Sequence, residues 1–135
     1  MGTWDIGPFD NDTAVDWTYG LRDSDGFGYV EDTLDQALAI DSAAVMDADV
    51  GVCAVAAAAA LARALDDTEP SSAYMEAVDE WAQRMTGRPP RALLEKARAA
   101  LIRVGTAPSA LLELWGEGGG DGWVATLDEI AAHLA

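Results

Sequence analysis

The sequence holds one cysteine and one histidine in 135 residues, and eight basic residues in all. Each scarcity excludes a class of chemistry. A single thiol closes no internal disulfide, so a small stapled fold is ruled out. Zinc sites draw three or four ligands largely from Cys and His, more than Cys53 and His133 supply. Nucleophilic catalysis by Ser or Cys needs a nearby base, and the one histidine lies close to the last residue. The glycine run GEGGGDG is followed by no Lys-Ser or Lys-Thr and preceded by no strand pattern, so it is not a phosphate loop. No catalytic residues and no cofactor are expected, and the chain does not read as an enzyme.

Long apolar runs are also missing. The one candidate, from Val50 to Ala62, is mostly alanine and falls short of the roughly 20 residues that cross a bilayer. The N-terminus has neither the basic region nor the apolar region of a secretory signal. Ile6 stands where myristoylation prefers Ser or Thr. A cytoplasmic protein is expected. No segment alternates apolar and polar residues over more than a few positions, which leaves little room for half-buried strands.

Acid is what the chain has in excess. Twenty-four Asp and Glu stand against eight Lys and Arg, a net charge of −16. Such a surface repels phosphates, so direct binding of nucleic acid or of anionic membrane is not expected. Basic proteins, cations or plain solubility remain. The charge is uneven: residues 1–50 hold eleven Asp and one Glu against one Arg. Six of the eight bases fall between Arg84 and Arg103, a strip expected to pair with the chain's own acids.

Periodicity and punctuation divide the chain into helices. Asp10, Asn11 and Asp12 are cap candidates for a helix over residues 12–22, with Val15 and Tyr19 four apart and Trp17 and Leu21 on a neighbouring pair. Trp4, Ile6 and Phe9 precede it as an irregular aromatic clasp. DSDGFG breaks this helix, and Val30, Leu34, Ala37 and Leu38 set the next, from Tyr29 to Ile40. A central alanine-rich helix, apolar on nearly all sides, follows Asp47 or Asp49 and stops at Asp66-Asp67. Tyr74, Val78, Trp81 and Met85 mark a fourth helix, and Leu93, Ala97, Leu101 and Val104 a fifth, opened by Pro89-Pro90. The last two are expected to form an antiparallel pair. SALLELW and WVATLDEIAAHLA complete an all-α, single-domain bundle, residues 1–135, of about six or seven helices around the alanine-rich one.

Two acidic stretches invite a cation reading. DSDGFGYVEDTL imitates a calcium loop with Asp23 first, Asp25 third and Gly28 sixth, but Phe27 stands fifth and Leu34 twelfth, where oxygen ligands belong. The Asp10 to Asp12 run with Asp16 is a second oxygen cluster, better explained by helix capping. No metal ligand is assigned from either.

The opening MGTWDIGPFDNDTAVDW resembles the start of the bacterial "domain of unknown function 4259" family, which commonly begins W-G-x-G-P-F-D-N-D before a short helix containing D-W. Trp4, Gly7, Pro8, Phe9, Asp10, Asn11, Asp12, Asp16 and Trp17 match, and Asp5 departs where glycine is usual. SALLELW with Trp123 is similar to the family's C-terminal pattern, with Ala110 in place of an expected acid. The resemblance implies a small bacterial cytosolic protein and no particular activity.

The charge then points to a protein-binding module that meets a basic partner through Asp10, Asp12, Asp16, Asp23 and Asp25, as immunity proteins and antitoxins neutralise basic targets. Divalent-cation binding around Asp23 and Asp25, and mimicry of nucleic acid, are the alternatives.

Overall fold

The computed structural model describes residues 12–24, 26–41, 43–65, 76–85, 89–106, 109–111, 113, 127–128, 130–132 and 134. Five helices follow one another: α1 (Asp12–Arg22), α2 (Gly28–Leu38), α3 (Ala48–Leu65), α4 (Glu76–Arg84) and α5 (Arg91–Val104). Further helical backbone occurs at Ala110, Leu111 and Glu113 and between Leu127 and Ala132. Among the described residues there is no strand, only an isolated parallel bridge between Met46 and Ser109. The expected aromatic clasp at Trp4, Ile6 and Phe9 lies outside the described residues.

Each helix buries the face that its apolar spacing defines. In α2 that face is Val30, Thr33, Leu34 and Ala37, at i, i+3, i+4 and i+7. In α5 it is Leu93, Leu94, Ala97, Ala100, Leu101 and Val104. Pro90 precedes α5 with φ −58°, the angle its ring fixes, and Gly105 follows its last residue. Complete burial of each Leu or Val contributes about 1.5–3 kcal/mol.

Helix α3 is the axis of the bundle. Residues Ala54 to Arg63 are buried without interruption, so no single stripe faces the core. The small methyl side chains let neighbours close in on all sides. At 18 residues α3 is longer than its 13-residue apolar run, and by length and composition alone it could cross a membrane, but two thirds of it are buried against the other helices.

The expected pairing of α4 with α5 is not what forms. α4 packs on α1 and α3, α5 packs on α2 and α3, and α4 and α5 do not form a packed pair. The reason is α3 itself, which offers contact surface on opposite sides and separates two helices adjacent in sequence.

Candidate functional site

The outward face of α1 holds part of the acidic surface that the sequence points to. Ala14, Trp17, Thr18 and Leu21 are buried. At 100° per residue, positions 16 and 19 fall on the opposite side, about 60° apart. They are Asp16 and Tyr19, and Asp23 stands in the turn just past the helix end at Arg22. Asp16 and Asp23 are exposed, and the Tyr19 ring between them is 57% exposed. The sequence pattern suggested Val15 and Tyr19 as an apolar pair; the structure instead gives the core to Trp17 and Leu21 and turns Tyr19 outward. Tyr19 is the one member of this face that charge alone did not point to.

Of the other residues expected at the contact surface, Asp12 starts α1, while Asp10 and Asp25 lie outside the described residues. From α3, Asp49 adds a carboxylate beside the first turn of α1, accepting a hydrogen bond from the Thr13 hydroxyl at 3.5 Å.

The inner side of α1 is locked to α2. The Trp17 indole donates to Thr33 Oγ1 at 2.8 Å, Thr33 donates to the Tyr29 carbonyl at 3.0 Å, and the Tyr29 hydroxyl donates to the Trp17 carbonyl at 2.8 Å. The two rings stack with centroids 5.2 Å apart. Gly20 makes this possible, because a Cβ there would lie 2.5 Å from the Tyr29 hydroxyl oxygen.

The turn after α1 is held from α4. Arg84 donates from one guanidinium nitrogen to the carbonyls of Arg22, at 2.6 Å, and Ser24, at 2.9 Å. It thereby places a cation on the C-terminal carbonyl end of α1, where a helix favours positive charge. Trp81 donates to the Gly26 carbonyl at 3.2 Å and meets Phe27 edge to face. Arg22 pairs with Glu80 at 3.4 Å.

Part of the basic strip pairs within the molecule, as its composition suggested. Lys96 on α5 bridges Glu31 at 3.0 Å and Asp35 at 2.9 Å, both on α2, and these hydrogen bonds hold its pKa above the usual lysine value. Arg103 donates to the carbonyl of Ala44 at 2.6 Å. Arg91 reaches Glu95 on its own helix. Outside the strip, Arg63 is buried against Asp79 at 2.7 Å. By contrast, among the described residues neither Asp16 nor Asp23 forms an ion pair.

The calcium-loop imitation does not take a loop conformation over its second half. α2 begins at Gly28, the sixth place, which turns Val30 and Leu34 into the core. Among the described residues no three Asp, Glu, His or Cys side chains gather to hold a metal ion.

Cys53 is partly buried on α3, and burial, with the Asp49 carboxylate second, pushes its thiol up to about 11. It is therefore protonated and unreactive near neutral pH. An open cleft of about 190 Å³ lies between α5 and the C-terminal helical residues, lined by Leu101, Ile102, Gly105, Thr106, Leu127, Asp128 and Ala131. It brings a single carboxylate to an otherwise largely apolar wall, and its Thr106 hydroxyl already donates to the Ile102 carbonyl at 2.5 Å.

These features define an all-α protein built around an alanine-rich helix, with an acidic, tyrosine-bearing face on its first described helix. The chain belongs to the family described as "Domain of unknown function (DUF4259)", whose model matches residues 2–126. No curated protein and no solved structure matches it.

Proposed function

We propose that this protein is a non-enzymatic binding module of the cytoplasm that takes hold of a basic protein through its acidic N-terminal half, in the way an immunity protein or antitoxin neutralises its target. One observation carries this reading. Arg84, Lys96 and Arg103 are engaged by the chain's own carbonyls and carboxylates, whereas Asp16 and Asp23 stay exposed and unpaired among the described residues. A molecule of net charge −16 whose few cations are partly engaged by its own acids and carbonyls leaves a negative field outside. Such a field speeds encounter with a positive surface and selects for it.

Exposed carboxylates separated by more than about 10 Å from their counter-charges are screened by physiological salt, so the association is salt-sensitive. The test is capture from the native host with the purified protein as bait, at low and at moderate salt, and identification of what is retained by mass spectrometry. A basic protein held at low salt and released as salt rises is the expected result. Nothing specific held at either salt contradicts the reading and leaves the acidic surface a solubilising one.

A further inference from the structure

We infer that the outer face of α5 joins two copies of this chain in a two-fold, antiparallel helix pair. This surface is separate from the acidic face of α1, and α1 and α5 do not form a packed pair. The inner face of α5 is consumed by the core. Its outer side carries a second row within the same helix, Ala92, Glu95, Ala99 and Ile102, at spacings of three, four and three, and every one of them is exposed. That is the spacing by which one helix seats against another. The alanines let a neighbouring backbone come close, and Ile102 is 69% exposed on a helix whose core stripe is already filled.

Charge selects a second copy as the occupant. Two bodies of net charge −16 repel each other, so they meet only where acid does not face acid. The outer side of α5 is such a place, with Arg91 and Arg98 against the single Glu95. Among the described residues Arg98 forms no ion pair, and Arg91 has only a 3.9 Å contact with Glu95 while its side chain is 92% exposed.

The row is also complementary to itself. An antiparallel pair centred near Ala97 places Glu95 level with the partner's Arg98, and Ile102 level with the partner's Ala92. At 1.5 Å of rise per residue, one register satisfies both to within about 1 Å. The two-fold axis then forms each contact twice, as a self-complementary interface requires. The same register brings the partner's Arg91 toward Asp128, an exposed carboxylate on the wall of the cleft that Ile102 also lines.

A contact between two helices of this length is small, so the dimer is weak and forms at high protein concentration. The test is sedimentation velocity on the full chain at moderate salt, which screens the mutual repulsion, over a concentration series that reaches the millimolar range. The samples are the wild type, Ile102→Glu, Glu95→Arg, Arg98→Glu and an equimolar mixture of the last two. All three positions are at the surface, and circular dichroism confirms that each variant is folded.

The wild type is expected to pass from monomer toward dimer as concentration rises, and Ile102→Glu to stay monomeric. Each ion pair occurs twice, so either charge reversal alone is expected to raise the dissociation constant about ten-fold. The mixture is expected to recover the wild-type value, because one variant then supplies two arginines and the other two glutamates. A wild type that is monomeric at every concentration overturns the inference. So does a dimer whose dissociation constant none of the variants changes, since the contact then lies on another face. A mixture no tighter than its components overturns the reciprocal pairing of Glu95 with Arg98 and the register built on it.

Discussion

Tyr29 shows how much one residue position can carry. Its hydroxyl holds the Trp17 carbonyl, its ring stacks on the Trp17 indole, and it occupies the space that a Cβ on Gly20 would need. Gly20→Ala is a favourable change for an exposed helix interior, worth about 1 kcal/mol. Here the added Cβ would lie 2.6 Å from the Tyr29 Cζ atom, so the ring has to leave its place. Overpacking of this kind costs about 1–3 kcal/mol. Gly20→Ala is therefore expected to lower the thermal midpoint, and Gly20→Ala/Tyr29→Ala to lose less than the two single changes summed. Additive losses in differential scanning calorimetry would show that the contact is not tight.

Cys53 gives a second test at the same scale. Because its thiol is raised to about 11, alkylation by iodoacetamide at pH 8 is expected to be far slower than that of a cysteine in an unfolded peptide, with the rate rising toward pH 11. The sign for stability follows. The unfolded thiol ionises first, so this contribution is full below pH 9 and is lost as pH rises through the folded value. A rate at pH 8 equal to that of the unfolded chain would contradict the burial of this side chain.

Among the elements, the helices and their neighbours were not equally legible. The spans were, because aspartates, glycines and prolines punctuate them: the expected helix over 12–22 is α1, and Pro89-Pro90 and Gly105 bracket α5. The packing order was not. α3 is nearly uniform around its circumference, so its sequence holds no stripe to say which neighbour goes where. The acids at Asp16 and Asp23 were legible by charge, but the place of Asp16 beside Tyr19 depends on which face α1 buries. Arg84 was read as part of a basic strip, yet its partners are backbone carbonyls, and these have no signature in a sequence.

The ties between elements make their own predictions. Arg63 and Asp79 link α3 to α4 with side chains only 8% and 13% exposed. Removing Asp79 takes a charged hydrogen-bond partner from a buried guanidinium, at a cost of about 1–3 kcal/mol. Asp79→Ala is expected to lose stability in this range by urea denaturation, and a loss under 1 kcal/mol would mean that Arg63 finds equal company elsewhere. Lys96 straps α5 to α2 at the surface. Its raised pKa means that the strap is intact below the ordinary lysine range near 10.5 and is lost as pH rises through the folded value. Lys96→Met should therefore narrow the gap to wild type in strong alkali, as thermal melts at neutral and alkaline pH would show.

For the whole molecule the governing number is the net charge of −16. Self-repulsion on that scale weakens the folded state, and added salt screens it. The thermal midpoint is expected to rise as sodium chloride is raised from low to moderate concentration, contrary to a protein whose surface is dominated by attractive pairs. Lys96, Arg84 and Arg103 are engaged by the chain's own carboxylates and carbonyls, which leaves the excess acid to set the outward field, and the central claim is that a basic protein answers it on α1. The most direct measurement compares capture from host lysate by the wild type and by Asp12→Lys/Asp16→Lys/Asp23→Lys at the same low salt, after both are shown to be folded. The account predicts that the wild type retains a basic protein and that the charge-reversed variant does not. Equal retention by the two would contradict it and would place the contact away from the acidic face of α1.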